Sequence, residues 1–379
     1  MPVVDKNIPT IGIEEEFQIV SKENADLASG YYQIADIASD EIKRRIKPET
    51  YPCFLETNTH ICPDIETAFK QTMSLRASLA ALTEKNDMAI IAAGTHPYGK
   101  WYEHELLSTP RHKEIGDVLQ DAFRSRMTFG LHVHIGIEDK ALRIHVMNQA
   151  RSYLPHILAL STNSPFWMGR PTGWMSYRAM NWNPAPWVGI PDPFLSVDDY
   201  YRFRDLLFNS DAVKRTFHLW WDIKSHDTYP TLEIRIADMP TYHYDMISIV
   251  ALIQSLIKKL LWLSEHGQSV PVLSTPLINE NKWRAARWGL AGVLRDWRNG
   301  TEISTVDAIN DMLTFVRDVE DELGTGRYLA HIQSMLEPGY VSGAYLQTQT
   351  FEQHQNTEAV AHMLVRETLK GINMSTAII

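Results

Sequence analysis

The sequence predicts a single α+β domain, residues 1–379, in which strands come first and helices follow. Residues 1–240 contain several stretches in which apolar and polar side chains alternate, the period of a strand with one buried face. Helical patterns are interleaved with these strands, and residues 241–379 are predicted to be essentially helical. Because no linker or repeat separates the two parts, we expect the helical part to cover one side of a sheet.

The first predicted strand, Ile11–Ile19, places apolar residues on one side and Glu14 and Glu16 on the other. Strand rise separates the two carboxylates by roughly 7 Å. Like charges at this distance raise each other's pKa unless a positive group lies between them. The pattern fits either a solvated acidic face or a divalent-cation site. Glu15, on the apolar side, is expected to pair with a helical Lys or Arg.

Three later strands repeat this alternation: Cys53–His60, Phe129–Ile137 and Thr231–Ala237. Their polar faces carry carboxylates, imidazoles and a guanidinium: Glu56, His132, His134, Glu233 and Arg235. A solvated sheet face more usually carries Lys, Thr, Ser and Gln. The four strands therefore predict a shared polar surface that holds a metal ion and an anion. Taken alone, each histidine is better explained as an internal histidine hydrogen-bonded to a neighbouring strand.

The remaining elements follow from capping and periodicity. Asp64 is predicted to cap one helix, and Asp139 to cap another that Pro155 kinks or divides. Two more strands are predicted, Met88–Ala93 and Leu219–Lys224. The other predicted helices are Tyr31–Ile46, Asp198–Asn209, Asp245–His266, Asn281–Leu290, Thr305–Leu323, Arg327–Leu336 and Phe351–Leu369.

Composition excludes several classes of function. The formal net charge of −10 disfavours nucleic acid and acidic membranes as partners, because both require a basic face. Two cysteines provide neither a disulfide framework nor a Cys-based zinc motif. The N-terminus lacks the pattern of a signal peptide, and Ile247–Leu263, interrupted by polar residues, predicts a buried helix rather than a membrane span. We expect a soluble, cytoplasmic protein, either monomeric or a homo-oligomer.

Gly94–Trp101 matches the Gly-x4-Gly-Lys pattern of a phosphate-binding loop, but the match is not favoured. Trp101 replaces the Ser or Thr that would hold magnesium, and Pro97 removes a backbone donor. We expect this loop to carry His96 to the sheet edge.

A second long loop, Asn163–Pro193, holds six of the 19 prolines and four of the 11 tryptophans. Ordered loops of this length are usually functional, so we predict a lid or pocket wall, with a contact between subunits as the alternative.

The carboxylates suggest a chemistry. Mg²⁺ takes hard oxygen ligands and shares them with substrate phosphates. The side chains that suit such a site are Glu14, Glu16, Glu56 and Glu233. Arg235, on the same strand face, would contact phosphate oxygens as a fixed bidentate donor. Clustered carboxylates, magnesium and an arginine, without a phosphate-binding loop, fit phosphoryl transfer from ATP to a carboxylate.

An ordered set of motifs resembles the glutamate–cysteine ligase type 2 group of carboxylate–amine ligases, within the glutamine synthetase-like superfamily. The motifs are Gly12–Phe17, Glu56–Thr59, Gly94–Pro97, Gly130–His134, Ser176–Arg178, Trp221–Ile223, Thr231–Asp238 and Arg287–Leu290. The resemblance implies a curved, mainly antiparallel sheet with an active site on its concave face and helices on the other side. It also implies ATP with Mg²⁺ or Mn²⁺, and acid and amine substrates. The γ-carboxylate of glutamate would be phosphorylated, and an amine such as cysteine would displace the phosphate.

The resemblance also assigns roles to residues. Metal binding is implied for Glu14, Glu16, Glu56, His132 and Glu233. Nucleotide contacts are implied for His134, Arg235, Lys224 and Arg287. Catalytic roles are implied for Arg235, Glu56 and Arg178, the last as the contact to the amino-acid carboxylate. Lys224 departs from the arginine that the family commonly has there, and a lysine cannot reproduce a bidentate contact.

Two other functions stay open. A His-x-His metallohydrolase would use zinc-activated water and would need further His or Asp ligands at strand ends. Metal identity and ATP consumption distinguish it from a ligase. The other alternative is a ligand-binding homologue that kept the fold without turnover, although no motif carboxylate is missing.

Overall fold

The computed structural model describes residues 8–181, 186–210, 219–226 and 228–378. Its strands, in chain order, are β1 (Ile11–Ser21), β2 (Ile46–Lys47), β3 (Phe54–Asn58), β4 (Met88–Ile91), β5 (Gly130–Gly136), β6 (Phe166–Trp167), β7 (Arg170–Pro171), β8 (Val188–Gly189), β9 (Trp220–Trp221), β10 (Ile223–Ser225), β11 (Thr231–Asp238), β12 (Val293–Asp296) and β13 (Thr301–Ser304).

The helices are α1 (Tyr31–Ile37), α2 (Asp40–Lys43), α3 (Ile65–Glu84), α4 (Pro110–Leu119), α5 (Asp121–Arg124), α6 (Lys140–Ala150), α7 (Leu154–Ser161), α8 (Arg178–Asn181), α9 (Val197–Asn209), α10 (His243–Glu265), α11 (Thr275–Trp288), α12 (Thr305–Val316), α13 (Glu320–Leu323), α14 (Gly326–Met335), α15 (Gly343–His354) and α16 (Thr357–Thr368). The predicted α+β class is confirmed, and so is the mainly antiparallel sheet that the family resemblance implies.

A seven-stranded antiparallel sheet lies at the centre, in the order β10-β11-β5-β1-β3-β2, with β4 paired to the C-terminal part of β1. Its register determines which polar side chains meet. Glu14 lies opposite His132 on β5, and Glu16 lies opposite Glu56 on β3. On the far side of β5, Glu233 lies opposite His134. Because side chains alternate across a strand, this register brings the polar residues of four strands to one face.

The opposite face of the sheet is the core. Its β1 residues Ile11, Ile13, Phe17 and Ile19 are at most 2% exposed. Helix α3 packs on β1, and α10 packs on β5. By length and composition α10 could cross a membrane, but most of its residues are buried within the protein, as expected for a core helix.

Local signals placed many helix ends correctly. The Asp64 side chain accepts a hydrogen bond from the Thr67 N–H, and Asp139 accepts one from Leu142. A single 3₁₀ turn separates α6 from α7, and Pro155 lies in the first turn of α7, so this proline divides the predicted helix.

Three predictions were wrong in detail. Residues 31–46 form two short helices because Ser39 caps a new one. Residues 241–379 also contain a hairpin, β12–β13, whose connection ends at Gly300 with a φ of 69°. The predicted helix Phe351–Leu369 is two helices. Gln355 adopts a left-handed φ of 52°, and the Asn356 side chain then caps α16.

The Glu15 side chain enters the core and is paired there, as its place on the apolar side predicts. Arg76 of α3 is fully buried, and its Nε lies 2.9 Å from Glu15 Oε1. Its NH1 also donates to the Thr241 carbonyl at 2.8 Å. Burial raises the pKa of Glu15, and the Arg76 charge opposes this. The pair therefore joins β1, α3 and the chain after β11 at one buried point.

Because removing one partner of a buried ion pair leaves the other charge uncompensated, Arg76→Ala is expected to lower the unfolding free energy by about 3–5 kcal/mol. Urea unfolding followed by circular dichroism measures this change. The matched control is Lys22→Ala, which removes the exposed Lys22–Glu84 pair and should cost less than about 1 kcal/mol. Equal losses in the two variants would contradict the structural role of Arg76.

Candidate active site

The polar face of the central sheet forms the floor of a cavity of about 330 Å³. The floor side chains come from four strands: Glu14, Glu16, Glu56, His132, Glu233 and Arg235. Other elements contribute the walls: Lys47, Glu49, Arg111, Arg126, Arg178, Trp220 and Lys224. The structure thus brings together the residues that strand alternation predicted to share a surface.

Glu14 is the centre of one group of ligand atoms. Its Oε2 lies 3.1 Å from His132 Nδ1, and its Oε1 lies 3.4 Å from His134 Nε2. Glu14, His134 and Glu233 each offer an atom within 4.8 Å of the others, close enough to bind one ion together. His134 Nδ1 lies 3.1 Å from the Thr231 hydroxyl, which orients the ring so that Nε2 points at the group.

The pKa values of the two histidines are shifted in opposite directions. For His132, burial and the nearby Arg235 lower the pKa to about 4, so the ring is neutral at pH 7. For His134, burial is outweighed by the Glu14 hydrogen bond and the Glu233 charge, which raise the pKa. Burial also acts on Glu14, but its hydrogen bonds to both histidines hold the pKa of the carboxyl well below its usual range.

The negative charge of Glu233 is compensated by two cations, one on its own strand β11 and one on the neighbouring strand β10. Arg235 donates to one carboxylate oxygen, and Lys224 Nζ lies 3.1 Å from the other. Burial alone would raise the pKa of Glu233, but these two charges outweigh it and lower the pKa. Glu233 in turn overcomes the burial of Arg235 and raises its pKa. Both members of the Glu233–Arg235 pair are therefore ionised at every physiological pH.

The other carboxylates are compensated less completely, although Lys47 Nζ lies 3.5 Å from Glu56 Oε1. Burial raises the pKa of Glu16 to about 7, although Arg178 opposes it. Burial and the Glu14 charge raise the pKa of Glu56, and burial and the Glu56 charge raise that of Glu49 well above its usual range. A divalent cation nearby would add positive charge beside these three carboxylates. Within the described residues, Glu14, His134 and Glu233 are the group whose ligand atoms lie within 4.8 Å of one another.

Arg178 lies at the cavity wall, at the start of α8 in the tryptophan-rich segment. Its NH1 donates to the Ile236 carbonyl at 3.2 Å and its NH2 to the Arg235 carbonyl at 3.1 Å. Arg178 also lines a smaller neighbouring cavity of about 30 Å³ together with Gly189 and Lys282. The described part of Asn163–Pro193 thus contributes a pocket wall, while residues 182–185 lie outside the described residues.

Two predicted features lie apart from this cavity. Arg287 is not among its lining residues, and the Arg287 guanidinium lies 5.7 Å from the centre of the Trp288 ring. The structure therefore does not bring Arg287 to the other site residues. His96 is 1% exposed and organises its own loop, since its Nδ1 accepts a hydrogen bond from the Gly99 N–H at 2.7 Å. The Gly99 N–H is thus already used within the loop, as expected if the match to a phosphate-binding pattern arose by chance.

Several cavity residues were missed by sequence reasoning. Glu49 follows a proline in an irregular loop, and no periodic pattern marks it. Arg126 precedes β5, and its guanidinium lies 4.3 Å from the centre of the Trp220 ring. Arg111 comes from α4, far from any motif. Trp220 directly precedes the Trp221–Ile223 motif, and this adjacency was the one signal available.

The uneven compensation predicts opposite effects for two Glu→Gln variants. In EDTA at pH 8, Glu16→Gln is expected to keep or raise the Tm, because it removes a poorly compensated charge. Glu233→Gln is expected to lose about 3 kcal/mol of unfolding free energy, because Arg235 and Lys224 lose their counter-ion. Thermal melts and urea titrations of both variants measure these changes. A loss of stability in Glu16→Gln would show a structural salt bridge instead of a repulsive site.

The pH dependence gives a second readout. Folded Glu16 binds its proton below about pH 7, while its ordinary pKa is 4.5. Between these values folded Glu16 holds the additional proton, so the contribution of Glu16 to stability increases as the pH is lowered. Glu16→Gln lacks this contribution, so its stability should fall relative to that of the wild type as the pH is lowered through that interval. Glu352→Gln, at an exposed position on α15, is the matched control and should follow the wild type.

Comparison with known proteins identifies the family of the chain. Residues 10–365 match the model of glutamate–cysteine ligase family 2. A relative from Herpetosiphon aurantiacus, described as "Putative glutamate--cysteine ligase 2", is 38% identical over 97% of this chain and 95% of its own. A relative from Solibacter usitatus with the same description is 38% identical over 96% of this chain and 94% of its own.

Solved structures share the fold at low sequence identity. A bifunctional glutathione synthetase from Pasteurella multocida has a TM-score of 0.74 at 12% identity over 98% of this chain, which spans only 54% of that enzyme. A glutamate–cysteine ligase from Francisella tularensis has a TM-score of 0.69 at 11% identity, covering 96% of this chain and 89% of its own. The near full-length family match, together with the carboxylate face, shows that the chain belongs to glutamate–cysteine ligase family 2, whose members are ligases that form carbon–nitrogen bonds.

Proposed function

We propose that the protein is an ATP-dependent carboxylate–amine ligase that activates the γ-carboxylate of glutamate and couples it to an amine such as cysteine in the cytoplasm. The observation that supports this most is the ligand group Glu14–His134–Glu233 beside the ionised Arg235. Such a group suits a metal-bound polyphosphate next to a fixed phosphate contact. The Francisella relative was solved in complex with AMP, which supports an adenine nucleotide as the phosphate donor.

In the proposed reaction, a carboxylate oxygen of the acid attacks the γ-phosphorus of ATP and ADP leaves. The amine nitrogen then attacks the acyl carbon, the C–O bond between that carbon and the phosphate breaks, and phosphate leaves with the proton that the nitrogen loses. Glu14, His134 and Glu233 would hold one Mg²⁺ or Mn²⁺, and Glu16 with Glu56 a second. Bound ions would neutralise the charge that develops on the transferring phosphoryl group. His132, between Glu14 and Glu16, either binds an ion or orients both carboxylates.

The chain's cations have separate proposed tasks. Arg235 would contact the phosphoryl oxygens, because its guanidinium is held at the floor by Glu233. Lys224, paired with the other Glu233 oxygen, would act as a point charge near the nucleotide instead of a bidentate donor. Arg178, at the wall, would contact the carboxylate of the acid substrate. Arg287 has no proposed contact from its position beside Trp288.

A zinc hydrolase is less well supported. Within the described ranges, the ligand group contains one imidazole and two glutamates, while His132 faces two carboxylates. Zinc hydrolases more commonly use two or three histidines. ADP formation in the presence of magnesium and both substrates distinguishes the ligase from the hydrolase and from a homologue without turnover.

ATP is expected to bind only together with Mg²⁺ or Mn²⁺, because the carboxylate floor repels a bare polyphosphate. Calorimetric titration of ATP at neutral pH, with magnesium and then with EDTA, measures this requirement. Glu14→Gln should weaken the magnesium-dependent binding, whereas the exposed Glu352→Gln should not. Equally tight binding in EDTA would contradict the proposed metal site.

Arg178→Lys is expected to raise the KM for the acid roughly ten- to a hundredfold and that for ATP much less, because a charge-assisted bidentate contact is lost. Steady-state ADP formation with each substrate varied in turn separates the two constants. Arg170→Lys, an exposed arginine of the same segment, is the matched control. Equal increases in both KM values would assign Arg178 to the nucleotide or to the loop.

A further inference from the structure

A buried carboxylate at the end of β11 organises the segment that carries Arg178. Asp238 is fully buried, and its carboxylate oxygens accept three hydrogen bonds from this segment. Oδ2 accepts from the Asn163 N–H at 2.9 Å and from the Ser164 hydroxyl at 2.7 Å. Oδ1 accepts from the Ser176 hydroxyl at 2.8 Å. A carboxylate at this depth is stable only when its lone pairs are satisfied, so these donors and the carboxylate depend on each other.

The hydroxyl oxygens of Ser164 and Ser176 also accept hydrogen bonds from backbone N–H groups at the start of α8. The Ser164 oxygen accepts a hydrogen bond from the Arg178 N–H at 3.1 Å. The Ser176 oxygen accepts one from the Ala179 N–H at 3.3 Å. Because each hydroxyl hydrogen is committed to Asp238, each oxygen lone pair is directed at the backbone of the helix start. The carboxylate therefore fixes the backbone from which the Arg178 side chain extends.

The Arg178 guanidinium is held at the cavity wall by only some of its N–H donors. Two of its five N–H donors go to backbone carbonyls of β11, and its NH1 lies 3.9 Å from Asp238 Oδ1. Its Nε is buried without a hydrogen-bond partner among the described residues. The guanidinium lies against Gly130, where a Cβ would overlap it, and the Gly130 N–H donates to Glu16. The remaining donors thus lie beside the acidic floor.

We propose that Asp238 is a positioning residue that fixes Arg178 for the acid substrate through the hydroxyls of Ser164 and Ser176. This inference rests on the proposed contact between Arg178 and the substrate carboxylate. Asp238 itself lies behind the cavity wall and lines neither cavity. Its effect on the reaction is therefore indirect. Asp238 restricts the conformations of the Arg178 side chain, so that the substrate does not have to order this side chain when it binds.

Ser176→Ala tests the proposal with a small change. The KM for the acid should rise roughly three- to tenfold, the equivalent of one lost hydrogen bond, while the KM for ATP should change less than about twofold. In an Arg178→Lys background the same substitution should have no further effect on the acid KM, because the two residues act in one network. Ser161→Ala is the matched control, since Ser161 is buried but donates within its own helix to Leu158.

In the folded fraction of Asp238→Asn, the KM for the acid should rise more than it does in Ser176→Ala, and the KM for ATP should again change little. A merely structural role would lower the amount of active enzyme and leave both KM values unchanged. Independent effects of Ser176→Ala and Arg178→Lys would also overturn the proposal. If the wild type itself neither binds nor turns over glutamate, the proposed function fails, and the positioning inference is then decided by chemical labelling.

Phenylglyoxal labelling of Arg178, mapped by mass spectrometry on the metal-free protein, does not depend on turnover. A fixed and buried guanidinium reacts slowly, so Ser176→Ala should increase the labelling rate of Arg178 by at least about threefold, as expected for one weakened hydrogen bond. Ser161→Ala should leave the rate unchanged. An unchanged rate in Ser176→Ala would show that Asp238 and its hydroxyls do not hold Arg178.

Discussion

The burial of several carboxylates on one sheet face is the constraint on which the site depends. Within the protein, two of the five are compensated more completely than the other three. Glu14 and Glu233 are balanced by His132, His134, Arg235 and Lys224, and both keep low pKa values. Glu16, Glu49 and Glu56 are balanced less completely, and their pKa values rise. The charge of the floor is therefore unevenly compensated, with partners concentrated beside Glu14 and Glu233.

Much of this floor was predictable because it depends on strand periodicity alone. Alternation puts Glu14, Glu16, His132 and Glu233 on polar faces, and antiparallel pairing leaves few ways to arrange four such strands. The same argument placed Glu15 in the core. What it could not supply was the identity of its partner, Arg76, because a helix stripe with one long polar residue looks the same whether that residue is buried or exposed.

The walls were less predictable for a physical reason. Glu49, Arg111 and Arg126 come from loops and short helices whose positions depend on tertiary packing and not on a repeating pattern. Strand alternation also does not show which carboxylates lie beside a cation. From the alternation alone, all the carboxylates on the polar face are expected to repel one another. The Phe351–Leu369 error has a similar origin. A left-handed residue at Gln355 interrupts a continuous apolar stripe without any glycine or proline to mark it.

The position of β1 has a consequence for biosynthesis. Its partner β3 follows closely, but the residue that binds Glu14 on β5 comes 118 positions later, and β11 later still. During translation the acidic strand therefore leaves the ribosome long before the histidines and cations that balance it. A nascent chain arrested before Thr231 would lack β11, which would leave one edge of β5 unpaired and the polar face without Arg235. Such truncated chains should depend on chaperones, because the polar face is complete only after β11 has been synthesised.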